Sequence, residues 1–118
     1  MSEHEENETM KKLDEVNDTM QTLGKYFPDI MKSFLTYFQG VDKPGTIDTK
    51  TKKLISLAIS INEKCSWCVA YYVNKAIEAG ATKEEILETS MVAMKMGGGP
   101  SLMHIRWVLD ALGELGKL

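Results

Sequence analysis

The sequence predicts an all-α protein, a single-domain bundle of about six helices. Apolar residues recur at helical spacing along most of the chain, and glycine and proline fall mainly between the periodic stretches. Of the 118 residues, 43% are hydrophobic, which is enough for one core and too little for two. Residues 1–9 are polar and expected as a flexible N-terminal tail, leaving residues 10–118 as the domain.

The first helix is expected over residues 10–23, where Met10, Leu13, Val16, Met20 and Leu23 share a face and Gly24 offers a left-handed cap. Pro28 suits the first turn of a second helix, with Ile30, Met31, Phe34, Leu35 and Phe38 as its stripe and Gly40 as its end. Residues 41–46, with Pro44 and Gly45, read as a turn. Asp48 or Thr49 can cap the third helix, which after Lys53 is apolar on nearly every side through Leu54, Ile55, Leu57, Ala58, Ile59 and Ile61. Such a helix belongs at the centre of a bundle or at a subunit interface. A buried strand competes for this run, but its length and alanine favour helix.

A fourth helix is expected over residues 65–79, closed by Gly80. Thr82 with Glu85 forms a capping box that opens a fifth, through Ile86, Leu87, Met91, Val92, Met94 and Met96. Gly97, Gly98 and Gly99 stop it, and Pro100 fits the first turn of a sixth with Leu102, Met103, Ile105, Leu109, Leu112 and Leu115 on its apolar side. The methionines flanking the glycine turn read as core filler or as the lining of an apolar cavity.

Charge narrows the function. The net charge is −3 and the 14 lysines and arginines are scattered, so no basic footprint for nucleic acid is present. The longest apolar run, residues 54–61, falls well short of the ~20 residues that span a bilayer. The N-terminus lacks the basic start and apolar core of a signal peptide, so a cytoplasmic protein is expected, with no membrane partner.

The chemistry concentrates in KCSWCVAYYVNKAIEAG, residues 64–80, around the chain's two cysteines, Cys65 and Cys68. Three positions apart at a helix start, they share one face and can reach disulfide distance. Such a pair can be a redox couple, half of a metal site, or two small buried hydrophobes. In a reducing compartment a structural staple closing so short a loop would constrain little. The unpaired amides of a first helical turn favour a thiolate, and Lys64 adds a cation. Trp67 is placed to shield a sulfur or wall a pocket. For a metal, only His4 and His104 join the cysteines as soft ligands, short of a full zinc set, so no metal and no cofactor are expected. His104 reads as a packing or surface residue. Tyr72 lies one turn beyond Cys68 on the same face, close enough to bond a sulfur or a substrate, but with an ordinary pKa near 10 it is a poor base at neutral pH.

The segment TKKLISLAISINEKCSWCVAYYVNKAIEAGATKEEI, followed by GGGP, resembles the carboxymuconolactone decarboxylase family, specifically its alkylhydroperoxidase AhpD-like branch, over residues 47–112. The resemblance implies an all-helical homo-oligomer, a trimer, hexamer or other closed ring, with the CxxC at the N-terminal end of a buried helix. It further implies a thiol–disulfide oxidoreductase in which Cys68 attacks a peroxide or disulfide substrate and Cys65 resolves. A thiol reductant or thioredoxin-like partner would return the pair to the dithiol. Two positions depart from the family's proton relay: its glutamate twelve residues before the first cysteine is Lys53 here, and its histidine four residues after the second is Tyr72. A lysine cannot act as the carboxylate. It would instead stabilise a thiolate if the fold brings it near, and Glu63 lies closer to the cysteines in sequence. A scaffold without the relay and a redox sensor are the alternatives, with lactone decarboxylation ranked below them because the enzyme that names the family lacks the cysteine pair.

Overall fold

The computed structural model describes residues 7–118, and these form six helices with no strand among them. In chain order they are α1 (Glu8–Tyr26), α2 (Pro28–Asp42), α3 (Thr49–Asn62), α4 (Ser66–Glu78), α5 (Lys83–Gly97) and α6 (Gly99–Glu114). The strand alternative for α3 is thereby excluded. Of the residues expected as a tail, 1–6 lie outside the described residues. Asn7 caps α1, and Glu8 and Thr9 form its first turn. Thr9 is buried and its N–H donates to Glu114 Oε2 at 2.6 Å, tying the start of α1 to the end of α6.

Helix α4 is the hub, packed against α1, α3, α5 and α6, while α3 also lies along α5. The core is built from one stripe of each: Leu57 and Ile61 of α3, Val69, Val73 and Ala76 of α4, Ile86 and Ala93 of α5, and Ile105, Val108, Ala111 and Leu112 of α6. This narrows two expectations. Helix α3 is central on one side only, since Ile55 and Ile59 on its other side are 45% and 57% exposed. Of the methionines expected as filler, Met94 packs on the core, whereas Met91, Met96 and Met103 are exposed. The core face of α5 is made instead of Ile86, Ser90 and Ala93.

The first two helices end later than their glycines suggest, and for one physical reason. Helix α1 runs through Gly24 to Tyr26, and α2 through Gly40 to Asp42. What stops each is the proline beyond: Phe27 before Pro28 and Lys43 before Pro44 are pushed out of the helical region, as the ring of a following proline requires. A mid-helix glycine carries a modest propensity penalty that packing overrides. Helix α5 likewise continues through Gly97, and Gly98 alone, at φ 73°, makes the turn into α6.

The α5–α6 corner is closed by a polar lock. Ser101, buried at the start of α6, donates to Asn62 Oδ1 at 2.5 Å, and both side chains press against Gly97. A Cβ at Gly97 would overlap Ser101 Oγ, whereas one at Gly113 meets nothing within 4 Å. Gly97→Ala is therefore expected to destabilise by about 1–3 kcal/mol through overpacking. Gly113→Ala is expected to stabilise by up to about 1 kcal/mol through helix propensity. Urea denaturation of the two variants beside the parent checks the pair of opposite signs.

Candidate active site

The cysteine pair sits where α3 hands the chain to α4. Helix α3 ends in a Schellman arrangement: the Lys64 N–H donates to Ile61 O at 3.1 Å and the Cys65 N–H to Ser60 O at 3.2 Å. This motif needs a left-handed residue, which glycine supplies after α4 and α6, at Gly80 and Gly116; here Lys64 takes it, at φ 58°. Cys65 then serves as the N-cap of α4, its Sγ accepting from the Cys68 N–H at 3.2 Å. Cys65 is thus just outside the helix rather than its first residue, and Cys68 occupies the third helical position. The two are joined as a disulfide with Cα atoms 5.2 Å apart. The first-turn amides, of which that of Cys68 already donates to Cys65 Sγ, are expected to favour a thiolate on reduction.

A cleft of about 980 Å³ opens beside the pair, and Cys68, not Cys65, lines it. Its apolar walls come from Val16 and Met20 of α1, Phe34, Leu35 and Phe38 of α2, and Trp67 and Tyr71 of α4. Trp67 is a wall residue, half exposed, and its indole N–H donates to Glu15 Oε1 of α1 at 3.1 Å. Tyr71 and Tyr72 meet edge to face with centroids 5.1 Å apart, and the Lys75 ammonium lies 5.4 Å from the Tyr71 ring centre.

Of the residues singled out in the sequence, Lys53, Tyr72 and Trp67 line the cleft with Cys68, and Cys65 is bonded to Cys68. Burial, above all, raises the Tyr72 pKa above its ordinary value, with the nearby Tyr71 and Asp42 adding to it and a hydrogen bond with Ser56 opposing. Tyr72 is therefore a protonated hydroxyl at neutral pH, a donor rather than a base. Glu63 is the exposed C-cap residue of α3 and does not line the cleft. Nor does His104, whose Nδ1 lies 2.5 Å from Pro100 O and whose ring packs on Trp107. His4 lies outside the described residues, and among those described no three His, Cys, Asp or Glu side chains are grouped to hold a metal ion.

Two residues not anticipated complete the site. One is Glu15. The other is Asp42, the last residue of α2, whose Oδ2 lies 2.5 Å from Lys53 Nζ in an ion pair only 25% and 12% exposed at its two side chains. No spacing rule could have found Asp42: it is eleven residues before Lys53, across a turn, and comes near only through the angle at which α2 returns to α3.

The carboxymuconolactone decarboxylase family profile matches residues 28–111. An uncharacterised protein of the cox locus of Paracoccus denitrificans is 35% identical over 83 residues, covering 70% of this chain and 75% of its own. Among solved structures, a carboxymuconolactone decarboxylase family protein from Legionella pneumophila, in its apo form, superposes with a TM-score of 0.89 at 32% identity, covering 94% of this chain and 99% of its own. A family protein from Thermotoga maritima, named for a possible role in an antioxidative response, does so with a TM-score of 0.78 at 28% identity over 89% of each chain. By profile and fold, this chain belongs to the carboxymuconolactone decarboxylase family, and its Cys65–Cys68 pair fits the family's AhpD-like branch.

Proposed function

We propose that the protein is a thiol–disulfide oxidoreductase that reduces peroxides by cycling Cys65 and Cys68 between dithiol and disulfide. The observation that carries this reading is the asymmetry of the pair: both sulfurs sit at the N-terminus of α4, but Cys68 alone lines the cleft. A cysteine that meets substrate and a second that does not are the two roles such a cycle needs. The antioxidative role suggested for the Thermotoga relative points the same way.

In this mechanism the Cys68 thiolate, favoured by the first-turn amides and the Lys53 cation, attacks one peroxide oxygen. The O–O bond breaks, Cys68 becomes a sulfenic acid, and the alkoxide or hydroxide leaves with a proton as alcohol or water. The Cys65 thiol then attacks the sulfenic sulfur, closing the disulfide as hydroxide departs with the thiol proton as water. Two electrons from an external dithiol, through exchange at the disulfide, restore the starting state. Tyr72 contributes a hydrogen bond from its protonated hydroxyl, and no side chain supplies the histidine base of the family's relay. That loss favours one second reading, exchange with a disulfide substrate in place of a peroxide, which needs no such base.

Assembly into a closed homo-oligomer belongs to the same reading. Helix α2 buries none of its residues, and Ile30, Met96 and Met103 are 65%, 76% and 68% exposed. Apolar side chains so exposed on three helices suit subunit contacts better than water. Sedimentation of the purified protein is expected to give a mass several times 13.2 kDa. A monomer at micromolar concentration would remove this part of the proposal.

Stopped-flow mixing of the reduced protein with an organic hydroperoxide tests the chemistry. Cys68→Ser is expected to abolish consumption, and Cys65→Ser to allow one turnover that ends in a trappable sulfenate. Consumption no faster than a free thiol would sink the peroxidase reading and leave disulfide exchange. Rebuilding the family's relay takes Lys53→Glu with Tyr72→His, and Asp42→Asn as well, since two carboxylates would otherwise meet where the ion pair now stands. Recovered acid–base catalysis would raise the peroxide rate on the order of 10²-fold. An unchanged rate would show that the relay contributes nothing in this cleft.

A further inference from the structure

The charged and phenolic groups that line the cleft with Cys68 come from every helix around it. Glu15 and Asp18 project from α1, and Asp42 and Lys43 from the end of α2. Lys53 faces it from α3, and Tyr71, Tyr72 and Lys75 from α4. Glu15 accepts from the Trp67 indole, and Lys75 pairs with Glu78 at 3.2 Å on the exposed side of α4. Lys53 and Asp42 stand apart from these as an ion pair withdrawn from solvent, and withdrawal strengthens the action of a charge on its neighbours.

The place of Asp42 is fixed from three sides. Thr49 Oγ1 donates to the Asp42 carbonyl at 2.7 Å. Lys52 Nζ donates to the carbonyls of Val41 at 2.8 Å and Lys43 at 2.7 Å, closing the C-terminus of α2 against α3. The carboxylate is therefore delivered to Lys53 by a braced helix end rather than by a loose loop. Its charge also reaches Tyr72, where it disfavours ionisation of the phenol.

We infer that Asp42 is a positioning residue of the cysteine site: it holds the Lys53 ammonium at the cleft and, by its own charge, offsets that cation and limits how far the Cys68 thiol ionises. This deepens the oxidoreductase reading and rests on it, in that the thiolate so tuned is the proposed attacking group. Lys53 stands at the position where the family resemblance implies a carboxylate, and a carboxylate, that of Asp42, reaches it from another helix. The pair as a whole is close to neutral, so its two members act on the thiol with opposite signs.

Opposite signs give a test that a brace between α2 and α3 would not pass. The rate of Cys68 alkylation by iodoacetamide is measured against pH in the full chain carrying Cys65→Ser, whose hydroxyl can keep the cap of α4. Asp42→Asn, nearly isosteric and still able to accept from Lys53, is expected to move the midpoint of the profile down by about one pH unit, and Lys53→Met to move it up by a similar amount. The double variant is expected to return close to the parent. Midpoints that do not move, or that move together in one direction, with thermal unfolding unchanged, would overturn the inference and leave the pair a structural tie. If Lys53→Met fails to fold, Lys53→Gln supplies the same arm. Alkylation needs neither peroxide nor reductant. A protein whose dithiol fails to cycle in a redox titration would thus refute the oxidoreductase reading while leaving these profiles to judge Asp42 independently.

Discussion

The rest of the site depends on the junction at Cys65, one residue that closes one helix and opens the next. Its N–H satisfies a carbonyl at the end of α3 and its sulfur accepts the Cys68 N–H at the start of α4. Helix ends leave backbone groups unpaired, and here two ends share one residue to satisfy them. The connection is correspondingly short: Glu63, Lys64 and Cys65 carry the chain from α3 to α4. Such a junction leaves little freedom in the angle between these helices, and their packed stripes bring Leu57 and Ile61 of α3 against Val69 and Val73 of α4, all fully buried. The cysteine pair is thus presented by a junction held by backbone hydrogen bonds on both sides.

That corner tolerates a left-handed lysine. For a side chain bearing a Cβ this conformation costs roughly 1–2 kcal/mol, and glycine would relieve it, as it does at Gly80 and Gly116. The two hydrogen bonds of the Schellman arrangement and the buried contacts of Ile61 and Val69 on either side hold Lys64 there. The left-handed lysine also keeps a cation beside the cysteine pair, where glycine would supply none.

Much of this was legible in the sequence, because local signals carried it. The capping box at Thr82 and Glu85 is formed with both reciprocal bonds, Asp48 caps α3, and the CxxC lies at a helix start with Tyr72 one turn along its face. The differences are also local: glycine signals a stop at Gly24 and Gly40, but the proline four residues beyond each holds the stronger steric veto. The left-handed Lys64 and the ion pair of Asp42 with Lys53 left no such trace. The first arises because α4 must start immediately, and the second because α2 folds back across a turn; both are consequences of tertiary packing.

The helix that brings Asp42 is also the one the core holds least. Helix α2 buries no residue; it packs against α1, and at its C-terminal end it is tied to α3 by the contacts of Thr49, Lys52 and Lys53. Partly exposed polar contacts of this kind fix a geometry more effectively than they stabilise a fold. The apolar face that α2 turns to the cleft, Phe34, Leu35 and Phe38, has no opposing layer until something occupies that space. An apolar molecule bound there would remove that face from water. The cysteine pair sits at the closely packed α3–α4 corner, while the carboxylate proposed to tune it comes from the helix that buries no residue.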